Sequence, residues 1–259
     1  MASAALHARN FWMEAKCAKA FWGQHELPVY RRLLADTLDW AAPGPGERWL
    51  DLGCGGGALT RGLWERSGGR IDSVVGVDCA ETNRHKYRQL QLDLTPALTN
   101  RIQFVCHDFS FDGLSLFEHD SFDHAVSGLS ISYAQSFDEH TQTWTQTAYD
   151  RLLADVLRVL RPGGRFVFSV NVPEPAWWKV GLRSLGGVFG AKNPLQYLKK
   201  SGRMLRYGAW LKREARCGRF HYLPSEAVAG KLGSAGFIGV EHRLSYAGQA
   251  YIFLAIKPV

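Results

Sequence analysis

Asp51-Leu52-Gly53-Cys54-Gly55-Gly56-Gly57 decides how this chain is read. It continues a short apolar run, Arg48-Trp49-Leu50, and leads into Ala58 to Arg66, whose residue pattern predicts a helix. Glycines at such a junction allow a tight turn and let a ligand approach the backbone, while the helix start offers N–H groups that lack a partner within the helix. Gly53, Gly55 and Ala58 also satisfy the GxGxxA spacing of dinucleotide-binding turns, and Asp78 falls about where a ribose-binding acid belongs.

Outward from this loop, apolar strands alternate with helices. Ser73 to Asp78 is a second strand, Arg84 to Leu94 a polar helix, Ile102 to Cys106 a third strand and Phe122 to Ser127 a fourth. A helix from Ala148 to Leu160 sets Leu152, Leu153, Val156, Leu157 and Leu160 on one face. Arg161-Pro162-Gly163-Gly164 ends it, and Arg165 to Val172 is the fifth strand. Such alternation predicts a parallel sheet covered on both faces. Upstream, Leu33, Leu34, Thr37, Leu38 and Ala41 recur at helical spacing until Pro43-Gly44-Pro45-Gly46 breaks the pattern. Downstream come a helix from Glu226 to Ala235 and strands Gly239 to Leu244 and Ala250 to Ile256. The step between those two strands is too short for a helical crossover, so they form an antiparallel hairpin.

The expected fold is α/β: a Rossmann-like, doubly wound seven-stranded sheet with a reversed last strand, N-terminal helices and a helical insertion before the last two strands. A single domain spans 1–259. It divides into a helical cap (1–46), a core (47–172), a basic aromatic insertion (173–222) and a closing helix and strand pair (223–259).

Composition narrows the function. With 46% hydrophobic and 21% charged residues among 259, a disordered or fibrous chain is excluded. No apolar run approaches the roughly 20 residues of a membrane-spanning helix, and Met1 to Asn10 lacks the apolar stretch of a secretory signal, so a cytoplasmic protein is expected. Five cysteines without a CxxC pair indicate neither a disulfide framework nor a metal cluster. Charge is uneven. Lys179 to Arg219 holds eleven Lys or Arg against one acid, Glu214, while the remaining chain has 20 basic and 23 acidic residues.

Asp51 precedes the first glycine by two residues, where a carboxylate would oppose a pyrophosphate but suit a ligand bearing an ammonium and a sulfonium. Asp108 closes the third strand in Cys106-His107-Asp108-Phe109. Acids at the ends of strands one, two and three thus line the sheet edge where doubly wound folds bind ligands.

With these residues in place, positions 47–172 resemble a class I S-adenosylmethionine-dependent methyltransferase, closest to the small-molecule branch called type 11. Asp51 to Gly57 resembles its first motif, Val75-Gly-Val-Asp78 its second and Phe122 to Ser127 its fourth strand. Leu157 to Gly164 resembles the approach to strand five, and Tyr251 to Pro258 the reversed seventh strand. The resemblance implies S-adenosyl-L-methionine as cofactor. It implies that Asp51, Gly53, Gly55 and Gly57 cradle the methionine moiety, that Asp78 accepts both ribose hydroxyls and that Asp108 bonds the adenine amino group. Phe109 would pack beside the ring, with ordinary core packing as the alternative, and Ser127 and Gly128 would border the cofactor. A nicotinamide-dependent oxidoreductase is the competing enzyme class, disfavoured by Asp51, Asp108 and the reversed strand.

Methyl transfer from a sulfonium needs alignment and exclusion of water, and needs a base only when the acceptor must lose a proton. By family geometry the loop Gly128 to Tyr133 faces the methyl group, which makes Tyr133 the first candidate for a polar contact; His140, His221 and Tyr222 follow. For each the ordinary alternative is a solvated histidine or a tyrosine packed through its ring. The [DNS]PP[YF] motif of enzymes that methylate nucleobase amines is missing; the chain reads Ser127-Gly-Leu-Ser130.

In the insertion, Trp177, Trp178, Phe189, Tyr197, Tyr207 and Trp210 interleave with the cations, and Leu195, Leu198, Leu205 and Ala209 lie near one helical face. One reading is a solvated helical lid. Another is peripheral contact of 179–219 with an anionic membrane, and a third attracts an anionic acceptor, including RNA. No accessory RNA-binding module is visible, so a lipophilic or anionic small-molecule acceptor ranks above RNA. The aromatic pairs Phe11-Trp12 and Phe21-Trp22 resemble helices that close over the cofactor. The non-enzymatic alternative is a membrane- or RNA-bound adaptor. Acceptor identity and oligomeric state are not legible here.

Overall fold

A computed structural model describes residues 10–22, 24, 27–94, 99–184 and 194–259. Seven strands form one sheet: β1 (Arg48–Leu52), β2 (Ser73–Asp78), β3 (Ile102–Cys106), β4 (Phe122–Gly128), β7 (Leu160–Asn171), β8 (Ile238–Ser245) and β9 (Ala250–Ile256). A separate hairpin pairs β5 (Ser136–Asp138) with β6 (Thr143–Thr145). The spatial order is β3-β2-β1-β4-β7-β9-β8, with β9 antiparallel to both neighbours and the first five strands parallel. This is the predicted Rossmann-like sheet with its reversed last strand. Chain order reverses between β1 and β4, the position where open α/β sheets bind ligands beyond the strand ends.

Strand alternation splits the core in two. Leu50, Leu52, Phe166 and Phe168 face a cluster closed by the helices Thr147–Val159 and Ser225–Ala235; Trp49, Val126 and Val167 face another under the helices Pro28–Ala41 and Ala58–Arg66. Leu152, Leu153 and Val156 recur on one face of their helix and are buried, each contributing about 1.5–3 kcal/mol by removal from water. The edge strand β8 instead exposes Glu241 and His242 and carries a register shift between Ile238 and Glu241, features that discourage pairing with another chain.

Two expectations shift. The helix ending at Arg161-Pro162 stops at Val159, and β7 begins at Leu160, because Leu160 pairs with Phe122 across a bulge before regular pairing resumes at Arg165. In the insertion, helices occupy Trp177–Ser184 and Pro194–Arg216. Gly208 and Leu211 are buried and Ala209 is exposed, so the inward stripe at this end of the long helix does not include Ala209. Phe189 and the side chains of Leu195, Tyr197, Leu198 and Leu205 lie outside the described residues. Among the described residues no helix is long and apolar enough to cross a membrane.

Candidate active site

The glycine loop leaves β1 through left-handed backbone at Gly53 (φ 66°), Gly55 (φ 52°) and Gly57 (φ 82°). A Cβ on Gly53 would sit 2.2 Å from the Ser130 Cβ, and one on Gly57 would sit 2.3 Å from Leu90. On Gly55 it would meet nothing within 4 Å, so the space above that residue is open. Gly53 and Cys54 donate their N–H groups to the Val77 carbonyl at 2.8 and 3.1 Å, and Gly55 donates to Asp78 Oδ2 at 2.9 Å. The loop therefore forms the floor of a cleft of about 770 Å³ that Asp78, Asp108 and Phe109 also line.

The three acids climb as a staircase rather than standing level. Asp51 is opposite Gly76, two residues before Asp78, and Asp78 is opposite Cys106, two before Asp108. At about 3.3 Å per residue, each step is roughly 6.6 Å. Asp51, the lowest, is 1% exposed and lies beneath the cleft instead of on its wall. Its Oδ2 accepts from Thr60 N at 3.1 Å and Thr60 Oγ1 at 2.7 Å, while its Oδ1 is buried without a partner. Burial outweighs those hydrogen bonds and pushes its carboxyl up to about 7. Thr60 Oγ1 also meets Tyr87 Oη at 2.7 Å, and Gly76 leaves room for that ring: a Cβ there would lie 2.4 Å from the hydroxyl.

Asp78 accepts from Ala80 N (2.8 Å) and Asn83 Nδ2 (3.0 Å) through Oδ1 and from Gly55 N through Oδ2; burial raises its pKa against these bonds. Asp108 caps the helical turn Phe109–Asp112 by accepting from Ser110 N at 2.9 Å. Both acids are also reached from the N-terminal cap. Asn10 Nδ2 donates to Asp108 Oδ2 at 2.8 Å, and Trp22 Nε1 donates to Asn83 Oδ1 at 2.7 Å.

At the other end the cleft is walled by rings. Trp12 packs on Tyr133 (4.7 Å between centroids) and on Phe21 (5.3 Å), and Trp177 approaches Tyr246 (6.5 Å). Tyr133 Oη lies 3.0 Å from Tyr222 Oη and accepts from Asn171 Nδ2 at 3.3 Å. Burial pushes the Tyr133 phenol up to about 12, so it stays neutral and acts as a hydrogen-bonding hydroxyl. Three polar atoms of lining residues are buried without partners: Asn171 Oδ1, Trp12 Nε1 and Trp177 Nε1.

The structure brings Gly53, Gly55, Gly57, Asp78, Asp108, Phe109 and Tyr133 to one cleft. It does not bring His221 there. Although at the end of a basic segment, His221 is 3% exposed, with its ring 5.3 Å from Tyr149 and its Nε2 2.9 Å from the Ala134 carbonyl. Burial lowers its pKa to about 4, which keeps it neutral. His140 is exposed in the β5–β6 turn. Ser127 is fully buried behind the wall, its Oγ donating to the Leu52 carbonyl at 2.9 Å and meeting Ser130 Oγ at 2.6 Å; Ser130 lines the cleft in its place. Asn171, Asn83 and Tyr246 were missed. Only the position of Asn171 at the end of a strand could have drawn attention to it. Among the described residues no group of His, Cys, Asp or Glu is placed to hold a metal ion.

Comparison with known proteins bears on this cleft directly. The family described as "Methyltransferase domain" (Methyltransf_11) matches residues 50–168. The mitochondrial ubiquinone biosynthesis O-methyltransferase of Homo sapiens is 28% identical over 63% of this chain and 41% of its own length. The nocamycin O-methyltransferase of Saccharothrix syringae is 28% identical over 82% of this chain and 65% of its own. The chain thus spans less than two thirds of these relatives. A SAM-dependent methyltransferase from Aquifex aeolicus shares the fold, with a TM-score of 0.59 at 13% identity over 94% of this chain and 98% of that one.

Proposed function

Residues 50–168 place this chain in the class I S-adenosylmethionine-dependent methyltransferases of the type 11 kind, and from that premise we propose that it methylates a hydroxyl oxygen of a lipophilic, ring-bearing small molecule. The floor of the cleft fits the donor: open space above Gly55, an unpaired carboxylate oxygen on Asp51 beneath, and two further acids higher up. Bound there, S-adenosylmethionine supplies a methyl group on a sulfonium, activated for in-line displacement. Asp51 compensates the positive charge from below. Asp78 accepts from the ribose hydroxyls and Asp108 from the adenine amino group, with Phe109 beside the ring.

The acceptor end carries the substrate class. Aromatic walls favour an apolar ring over a charged headgroup, and desolvation there strengthens each polar contact. The observation that supports a hydroxyl is Asn171 Oδ1, buried and unpaired beside the neutral Tyr133 phenol. A carbonyl oxygen in that position accepts from an acceptor's O–H and orients its lone pair, with Tyr133 holding the Asn171 amide in place. As the O–CH3 bond forms and the S–CH3 bond breaks, the donor leaves as a neutral thioether and the hydroxyl proton passes to solvent water. Two of the curated relatives are named as O-methyltransferases, which agrees with oxygen as the methylated atom.

The test is incubation of the purified protein with labelled donor and a panel of alkylated phenols and catechols, alkylamines and thiols, followed by mass analysis. O-methyl ethers are expected, and Asn171→Leu should reduce their formation by at least tenfold at subsaturating acceptor. Products methylated only on nitrogen or sulfur would refute oxygen as the target.

A further inference from the structure

We propose that the outer face of the helix Trp177–Ser184 docks on an anionic lipid bilayer. This helix has two unlike sides. Trp177, Val180 and Gly181 turn inward and line the cleft. Trp178 and Leu182, four residues apart and therefore on one face, are 64% and 59% exposed. Lys179 and Arg183, also four residues apart, form the adjoining row on one side of them and are exposed as well.

The inward side is fixed, so the outward side is a rigid presentation. The Trp177 ring lies flush on the long helix at Gly208, where a Cβ would come within 2.7 Å of it. The helix also packs on Pro28–Ala41. Two exposed apolar side chains beside a row of two cations, with Lys179 Nζ 5.8 Å from the Trp178 ring, match the amphipathic helices that lie in a bilayer interface, with apolar groups in the acyl boundary and cations at the phosphates.

The surrounding charge has one sign. Between Lys179 and Arg219 there are eleven Lys or Arg and one acid. Glu174 engages Lys212 and Arg216, and Glu214 engages Arg213 and Arg219. Lys179, Arg183 and the exposed Arg206 join no ion pair among the described residues, so they are available to phosphates. A stable protein partner typically covers about 800 Å² per side, far more than one two-turn helix offers, whereas a bilayer needs only a shallow apolar anchor with added charge. Docking places the cleft next to the bilayer, so a lipophilic acceptor reaches the aromatic end without crossing water; that consequence rests on the proposed acceptor, the docking does not.

Vesicle flotation tests the docking without measuring methyl transfer. The protein should float with phosphatidylcholine vesicles containing phosphatidylglycerol at low salt, and remain unbound with phosphatidylcholine alone or at high salt. Lys179→Glu and Arg183→Glu should each weaken binding about fivefold or more, and Trp178→Ser with Leu182→Ser about tenfold. Circular dichroism melts should be unchanged, because all four side chains are exposed. Flotation that is equal for wild type and variants would overturn the proposal. So would no flotation with anionic vesicles, or retention on polyuridylate without vesicle binding.

Discussion

Trp22 donates its indole N–H to Asn83 at 2.7 Å, and the Asn83 amide in turn donates to Asp78 at 3.0 Å. A ring of the N-terminal cap is thereby wired to the carboxylate assigned to the donor ribose. Lys19 and Lys86 stand over the same indole at 5.8 and 5.3 Å, adding cation–π attraction that holds it. Trp22→Phe keeps the ring and removes the donor, which is worth about 1 kcal/mol. The expected result is an approximately fivefold rise in the Kd for S-adenosylhomocysteine by calorimetry, with acceptor KM unchanged.

Asp78 itself carries more. Asp78→Ala removes the acceptor of Gly55 N, Ala80 N and Asn83 Nδ2, so the glycine loop loses its pin as well as its ligand contact. Donor binding should fall by at least a hundredfold in calorimetry. Stability should drop by only about 1–3 kcal/mol, since the charged form is already disfavoured by burial and the sheet core is untouched. A denaturant melt checks that second half.

The pH dependence of donor binding follows from Asp51. Its folded-state pKa of about 7 exceeds the ordinary carboxylate value, so its contribution to stability is fully present below about pH 4 and is lost as pH rises through 7. A cationic ligand favours the charged carboxylate and opposes that loss. The melting-temperature increment from S-adenosylmethionine should therefore grow from pH 5.5 to pH 8, with proton release on binding near pH 6. Asp51→Asn should flatten the profile. An increment independent of pH in the wild type would remove Asp51 from the donor site.

The fold was legible because its central parallel strands are apolar and largely buried, and because β1 runs into the glycine loop. Ser73–Asp78, Ile102–Cys106, Ala250–Ile256 and the helix Ala58–Arg66 have the boundaries read from sequence. The hairpin of Ser136–Asp138 and Thr143–Thr145 was not legible, since three residues each, with only Phe137 and Trp144 at their centres, are too few to establish an alternation. The donor end of the cleft follows the chain closely: glycine loop and strand-end acids are local features. The acceptor end does not, because it joins Trp12, Tyr133 and the Asn171–Trp177 stretch from three separate parts of the chain, and burial alone makes their polar atoms meaningful. Asp51 shows the same limit. Its place two residues before Gly53 was readable, but its depth below Asp78 depends on the register between β1 and β2.

His221 separates a structural role from a chemical one. Its backbone N–H donates to the Ser132 carbonyl at 2.8 Å and its ring reaches the Ala134 carbonyl, so it fastens the end of the insertion to the segment that carries Tyr133. His221→Ala leaves the Ala134 carbonyl unpaired and opens a void beside Tyr149, costing about 1–3 kcal/mol in a denaturant melt. Methyl transfer per folded molecule should keep its wild-type pH profile, because the buried ring does not line the cleft. The wild type should itself lose stability in acid. With the folded pKa near 4 and the unfolded value near 6.5, stability from the neutral ring is present above about pH 6.5 and is lost as pH falls through 4. A wild-type kcat profile with a step near neutral pH that His221→Ala abolishes would return this residue to the chemistry.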